Sequence, residues 1–191
     1  MLTGRICFMK LEHYDQLKKL TVSAMMLALA LLLPFLTGQL QAIGQMLTPM
    51  HVPILLCGLL CGPIYGFSVG IVAAPLRFIL FGMPQMPNVL YMTTELAVYG
   101  LLSGLFYQIL PKRKLSLYIS LILSMIGGRI AYALIFIAIN LSNAKSLESL
   151  TMPIISATVL TAWPGMILQI LLIPTLLIVL EKAKIIPLKN S

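Results

Sequence analysis

HVPILLCGLLCGPIYGFSVGIVAAPLRFILFGMPQMPNVLYMTTELAVYG, running from His51 to Gly100, is the stretch whose reading decides the fold. It is apolar almost throughout, yet Arg77 and Glu95 stand inside it. Its apolar runs are continuous rather than alternating, which argues for helices and against the dyad pattern of a membrane β-barrel. The longer runs approach the roughly 20 residues that carry a helix across about 30 Å of hydrocarbon. Gly62-Pro63 breaks the run into two helices, and GMPQMPN separates the second of these from a third.

The rest of the chain extends the same pattern. Of its 191 residues 60% are hydrophobic and 9% charged, and the mean hydropathy is +1.02. A soluble domain carries about 25% charged residues, so a soluble fold is excluded. The expectation is an all-α integral membrane protein, a single transmembrane substrate-binding domain over 1–191. Six transmembrane helices are expected at about 19–37, 49–62, 64–82, 89–110, 115–141 and 153–180. The second is the weakest, being too short for a full crossing, and either begins within the preceding link or is a short helix packed inside protein. Leu20 to Leu36 exceeds the usual signal-peptide core and no A-x-A-like site follows, so it reads as a retained span.

Charge gives the orientation. Ten of the 13 basic residues fall in three clusters: Arg5, Lys10, Lys18 and Lys19; Lys112, Arg113 and Lys114; Lys182, Lys184 and Lys189. With the N-terminus inside, all three clusters are cytoplasmic, and the outer loops at 38–48, 83–88 and 142–152 carry Lys145 alone among basic residues. That asymmetry predicts an N-in/C-in chain, with residues 1–18 a cytoplasmic segment and 182–191 a cytoplasmic tail. The net charge of +8 is thus assigned to topology and lipid headgroups rather than to nucleic acid.

Removing the flanking and loop charges leaves Arg77, Glu95 and Arg129. A charge at membrane depth costs at least about 2.5–3.5 kcal/mol and usually marks a paired contact or a function. Counting from the helix ends puts Arg77 and Glu95 at similar depth, roughly 8–9 Å below the outer surface at 1.5 Å per residue. His51 opens its helix on that side. One reading is an Arg77–Glu95 ion pair that staples two helices. The other is an outward-opening small-molecule pocket, whose two guanidinium groups favour an anionic or strongly polar ligand.

Further candidates for that pocket are Asn88, Tyr91, Tyr132 and Trp163, with Tyr99 and Asn140 nearby in the pattern. Tyr91 and Glu95 are four apart, hence on one helical face. Cys57 and Cys61 lack a second Cys pair or nearby His to complete a metal site and read as packing residues. No phosphate-binding GxxxxGK[ST] loop and no H-E-x-x-H occurs. No nucleophile–base pair stands out. Neither an enzyme nor a cofactor or metal is indicated.

The pattern resembles the substrate-binding S components of energy-coupling factor (ECF) transporters. The resemblance is carried by SAMMLALA in the first span, with Ala24 and Ala28 as A-x-x-x-A, and by the His51–Gly100 stretch, with its His-x-Pro start, Gly-Pro turn, G-M-P loop and Glu95. It implies a subunit of the bacterial plasma membrane that binds a vitamin-like small molecule. It also implies partners, a transmembrane coupling subunit and two ATPases, with Ala24 and Ala28 as the docking face. By the same resemblance the ligand lies under the first loop, 38–50, against the outer halves of spans 4 to 6, a region that holds Glu95, Tyr91, Asn88, Arg129, Tyr132 and Trp163 but only marginally Arg77. Pantothenate is the first ligand suggested, and hydroxymethylpyrimidine or another thiamin precursor the second. The alternatives are a stand-alone secondary transporter coupled to protons through Glu95, a membrane enzyme or assembly factor, and a structural subunit.

Overall fold

The computed structural model describes residues 2–36, 48–111, 114–141 and 163–182. Among them are six helices: α1 (Leu2–Leu36), α2 (His51–Cys61), α3 (Pro63–Phe81), α4 (Asn88–Ile109), α5 (Lys114–Asn140) and α6 (Trp163–Lys182). Four segments are long and apolar enough to cross a membrane: Asp15–Phe35, Pro63–Phe81, Asn88–Ile109 and Leu115–Asn140. His51–Cys61 and Trp163–Val179 are shorter apolar helices.

Three expected spans match their helices to within a residue at each end. Two differ. The first helix starts at Leu2 rather than near 19, so the charged N-terminal segment continues the span's helix. The second is only 11 residues long. The first ten residues of the sixth expected span, 153–162, lie outside the described residues, as do the loops 38–47 and 142–152, Lys112 and Arg113, and the tail beyond Lys182.

α2 is the centre of the fold. His51 to Leu59 are all buried, and the helix touches α1, α3, α4 and α6. Eleven residues rise only about 16 Å, too little to cross, and protein on every side makes a crossing unnecessary. Its backbone groups bond within the helix, and its first amide, His51 N–H, donates to Thr48 O at 3.1 Å. At the other end Gly62 takes φ 102°, a conformation that strains L side chains, and its N–H closes on Gly58 O at 3.0 Å. Pro63 then starts α3 where its missing N–H costs nothing.

A seam of small residues locks α2, α3 and α4 together. A Cβ on Gly66 would run into the Gly100 backbone, one on Gly70 into the Leu96 carbonyl, and one on Gly58 into Gly100 and Ser103. Gly104 lies against the backbone of Gly58, Gly62 and Pro63. Hydrocarbon offers little hydrophobic drive between helices, so close backbone approach of this kind supplies the association. The spacings Gly66-x-x-x-Gly70 and Gly100-x-x-x-Gly104 state it in the sequence.

The surface inverts the soluble pattern. Ile64, Ile79, Ile130, Leu134 and Leu171 point outward. Ser23, Ser103, Ser120, Ser124 and Gln169 are buried. Ser120 and Ser124 donate to Leu117 O and Leu121 O of their own helix, at 3.0 and 2.8 Å, and so need no outside partner.

Candidate functional site

Glu95 is 2% exposed and lies at the junction of three helices. Arg129 Nη1 of α5 approaches its Oε1 at 3.0 Å, and His51 Nε2 of α2 at 3.6 Å. The partner of Glu95 is therefore Arg129, not Arg77, and the stapling pair considered from sequence is replaced by a different one. Gly127 and Gly128 explain how Arg129 gets there. A Cβ on Gly128 would strike the Tyr99 ring and one on Gly127 the Leu102 side chain, so both glycines let α5 settle onto α4. Tyr99 packs its ring edgewise on His51, with centroids 5.1 Å apart.

An aromatic wall rises beside this centre toward the start of α4. Tyr91, one turn before Glu95, meets Tyr132 at 5.6 Å and Phe136 at 5.2 Å, and Tyr132 stacks on Phe136 with 17° between their planes. Asn140 Nδ2 donates to Tyr91 Oη at 2.8 Å and to Phe136 O at 2.9 Å. Tyr91, Tyr132 and Asn140, picked from sequence, thus form one cluster between α4 and α5, a turn from Glu95 and Arg129.

Several of its polar atoms are left without a hydrogen bond. His51 Nδ1 and Nε2, Glu95 Oε1 and Arg129 Nε are all buried and all lack one. The Glu95–Arg129 contact is an ion pair in distance, yet no N–H is aligned on Oε1. Orphaned buried polar groups cost about 1–3 kcal/mol each, more when charged. Buried ion pairs in particular need further hydrogen bonds to offset desolvation. Several such atoms are gathered at this one junction.

Arg77 is elsewhere. The seam sets an antiparallel register, Gly66 on Gly100 and Gly70 on Leu96. Continued along the helices, it puts Arg77 level with Val89 and Glu95 level with Ile71, about 9 Å apart along the axis at 1.5 Å per residue. The equal depths expected from sequence fail because the 82–87 loop folds back alongside the end of α3, so α4 starts about a turn deeper. Arg77 is 6% exposed, lies 6.0 Å from the Phe35 ring of α1, and its Nη1 has no hydrogen-bond partner.

Asn88 opens α4 at intermediate burial, two turns above Glu95. Trp163 begins α6 and is 57% exposed, and among the described residues no hydrogen bond or ring contact ties it to the centre. Gln169 was not foreseen. It is 2% exposed on α6, and its Nε2 donates to Thr48 Oγ1 at 2.7 Å, one turn before His51. Its Oε1 has no partner. A lone Gln within an apolar span is the signal that could have found it. Ala24 and Ala28 are exposed on α1, facing away from the bundle. Among the described residues no three His, Cys, Asp or Glu side chains gather as metal ligands would.

Comparison with known proteins agrees with this architecture. No curated protein and no solved structure matches the chain significantly. A family model described as "ECF transporter, substrate-specific component" matches residues 18–177, which takes in α2 to α5 whole, most of α6 and the apolar part of α1. The chain belongs to the ECF transporter substrate-specific component family, membrane subunits that serve uptake.

Proposed function

We propose that this chain binds a small polar organic molecule, a vitamin or vitamin precursor, at the Glu95–Arg129–His51 centre and delivers it to an ECF-type ABC importer. The observation that carries the reading is the centre itself. Three ionisable side chains from three helices, Glu95 and His51 buried and Arg129 nearly so, meet in an apolar bundle, with four of their nitrogen and oxygen atoms lacking a hydrogen bond. Tyr91 and Tyr132 form its side wall, and Asn88 and Trp163 stand nearer the outer helix ends, on the way in. Arg77 sits outside this centre and has a separate role. Pantothenate is the ligand to test first, because Arg129 can fork a carboxylate, and hydroxymethylpyrimidine the second.

The chain acts as one transmembrane domain of six membrane-embedded helices with both ends in the cytoplasm of a bacterial cell, in keeping with its three basic clusters. Its partners are a coupling subunit and two ATPases. Ala24 and Ala28 form the docking face, supported by their exposure on α1 and by the close approach that small residues allow.

The test has two parts. Mass spectrometry of the purified protein should find a bound vitamin-like molecule, and Glu95→Gln and Arg129→Met should purify without it. Uptake in proteoliposomes should require the coupling subunit and ATP. Uptake by the chain alone, abolished by a protonophore, would replace this reading with a proton-coupled transporter using Glu95.

A further inference from the structure

Thr48 takes φ 43°, the only positive φ outside glycine among the described residues. A β-branched residue in left-handed backbone is a steric outlier. Such a conformation persists only where the surrounding structure holds it, and it collects at sites where a group must be kept in place. Thr48 stands immediately before α2. Its carbonyl accepts the His51 N–H at 3.1 Å, so the turn from Thr48 to His51 carries the first residue of that helix.

The residue that holds Thr48 comes from another helix. Gln169 of α6 is 2% exposed and donates from Nε2 to Thr48 Oγ1 at 2.7 Å, and the same nitrogen lies 3.5 Å from Thr48 O. Among the described residues these are the only hydrogen bonds that join an α6 side chain to another element, the bond from Thr175 to Leu171 O staying within α6. An amide buried in an apolar span is costly unless it is hydrogen-bonded, and Thr48 is its partner.

What the turn carries is the His51 imidazole. Its Nε2 lies 3.6 Å from Glu95 Oε1, and its ring stands edgewise on Tyr99 with centroids 5.1 Å apart. Neither ring nitrogen makes a hydrogen bond. With no hydrogen bond of its own to orient it, the ring takes its place against Glu95 from the backbone that carries it and from the packing around it. We infer that Gln169 is a positioning residue: by holding Thr48 in left-handed backbone it fixes the turn that sets the His51 ring against Glu95, and it ties the binding centre to the position of α6. Its bearing on ligand affinity rests on the Glu95 centre being the ligand site; its placement of the ring does not.

Nuclear Overhauser contacts between the His51 and Tyr99 rings, read on the full chain in nanodiscs, test the placement without a ligand. They should be present in the unaltered chain and in Thr48→Ser, which keeps the hydroxyl. They should be lost or strongly weakened in Gln169→Met and in Thr48→Val, which each remove one side of the bond and keep its bulk. Thr48→Gly should retain them, even combined with Gln169→Met, because glycine adopts a positive φ unaided. Calorimetric titration with hydroxymethylpyrimidine and with pantothenate reads the consequence. Whichever probe binds should bind about tenfold more weakly to Gln169→Met, the scale of one lost hydrogen bond. In a His51→Ala background the same change should cost less than about twofold, since no ring is left to place. If Gln169→Met fails to fold, Thr48→Val and Thr48→Gly put the same question from the other end of the bond, and if neither probe binds, the ring contacts decide. Unchanged ring contacts in Gln169→Met and Thr48→Val, or an equal loss of affinity with and without His51, would overturn the inference. The two readings fail differently. If His51→Ala and Glu95→Gln leave binding of a probe untouched, the site reading falls while the ring contacts still report on Gln169. If those two variants abolish binding and Gln169→Met does not weaken it, only the positioning role falls.

Discussion

At the scale of single residues, the question is which buried charge does what. Glu95 and Arg129 form a pair whose separation should be costly. Arg129→Met leaves a carboxylate alone in an apolar bundle, and breaking a buried pair from one side typically costs about 3–5 kcal/mol. A fall in melting temperature and loss of ligand should appear together. Arg77→Leu should behave differently. The guanidinium is buried beside Phe35 without an ion-pair partner among the described residues, so an apolar replacement should leave ligand affinity within about threefold in the same titration. That Arg77, Glu95 and Arg129 lie within the helices was legible in the sequence, because three charges stood out against hydrocarbon. Which of them meet was not. Counting from helix ends assumes both ends lie at one level, and the 82–87 loop breaks that assumption. Gln169 escaped because it carries no charge, although a buried amide must still be hydrogen-bonded.

At the scale of elements, glycine decides how close helices come. Gly100→Leu would force a side chain into the Gly66 backbone, which cannot yield as a side-chain tip can. It should lower stability by about 3 kcal/mol, the upper end of ordinary overpacking, read as lost thermal stability or failed insertion. Gly128→Ala meets a ring instead, that of Tyr99. It should fold, with a smaller stability loss, yet bind ligand more weakly because α5 is pushed back and Arg129 with it. A thermal melt beside a titration distinguishes the two outcomes. Helix boundaries around these glycines were readable to a residue because Gly62-Pro63 and the 82–87 loop punctuate the apolar runs. The fate of α2 was readable only as a choice. Its length ruled out a crossing, but enclosure by four neighbours is a tertiary fact that no window of its own sequence contains.

At the scale of the whole molecule, the chain has two faces to satisfy, lipid outside and a polar centre within. Ala24 and Ala28 lie on the outer face of α1. Leu at either position should leave the melting temperature and ligand affinity unchanged and should block ATP-driven uptake in reconstituted vesicles. Uptake at the normal rate in both variants would remove the docking role. Class and family were legible at this scale because hydropathy, charge placement and a few fixed motifs all point one way. Ligand identity was not, since it depends on which orphaned atoms share one centre.

The glycine seam carries one more consequence. Where backbone meets backbone with nothing between, there are no rotamers to flip and no slack to take up. α2, α3 and α4 must then travel as a single block. Among the described helices, rearrangement then falls to α1, α5 and α6, which rest on that block outside the glycine seam. Labels placed across α4 and α5 should report motion, and labels placed across α3 and α4 should stay still.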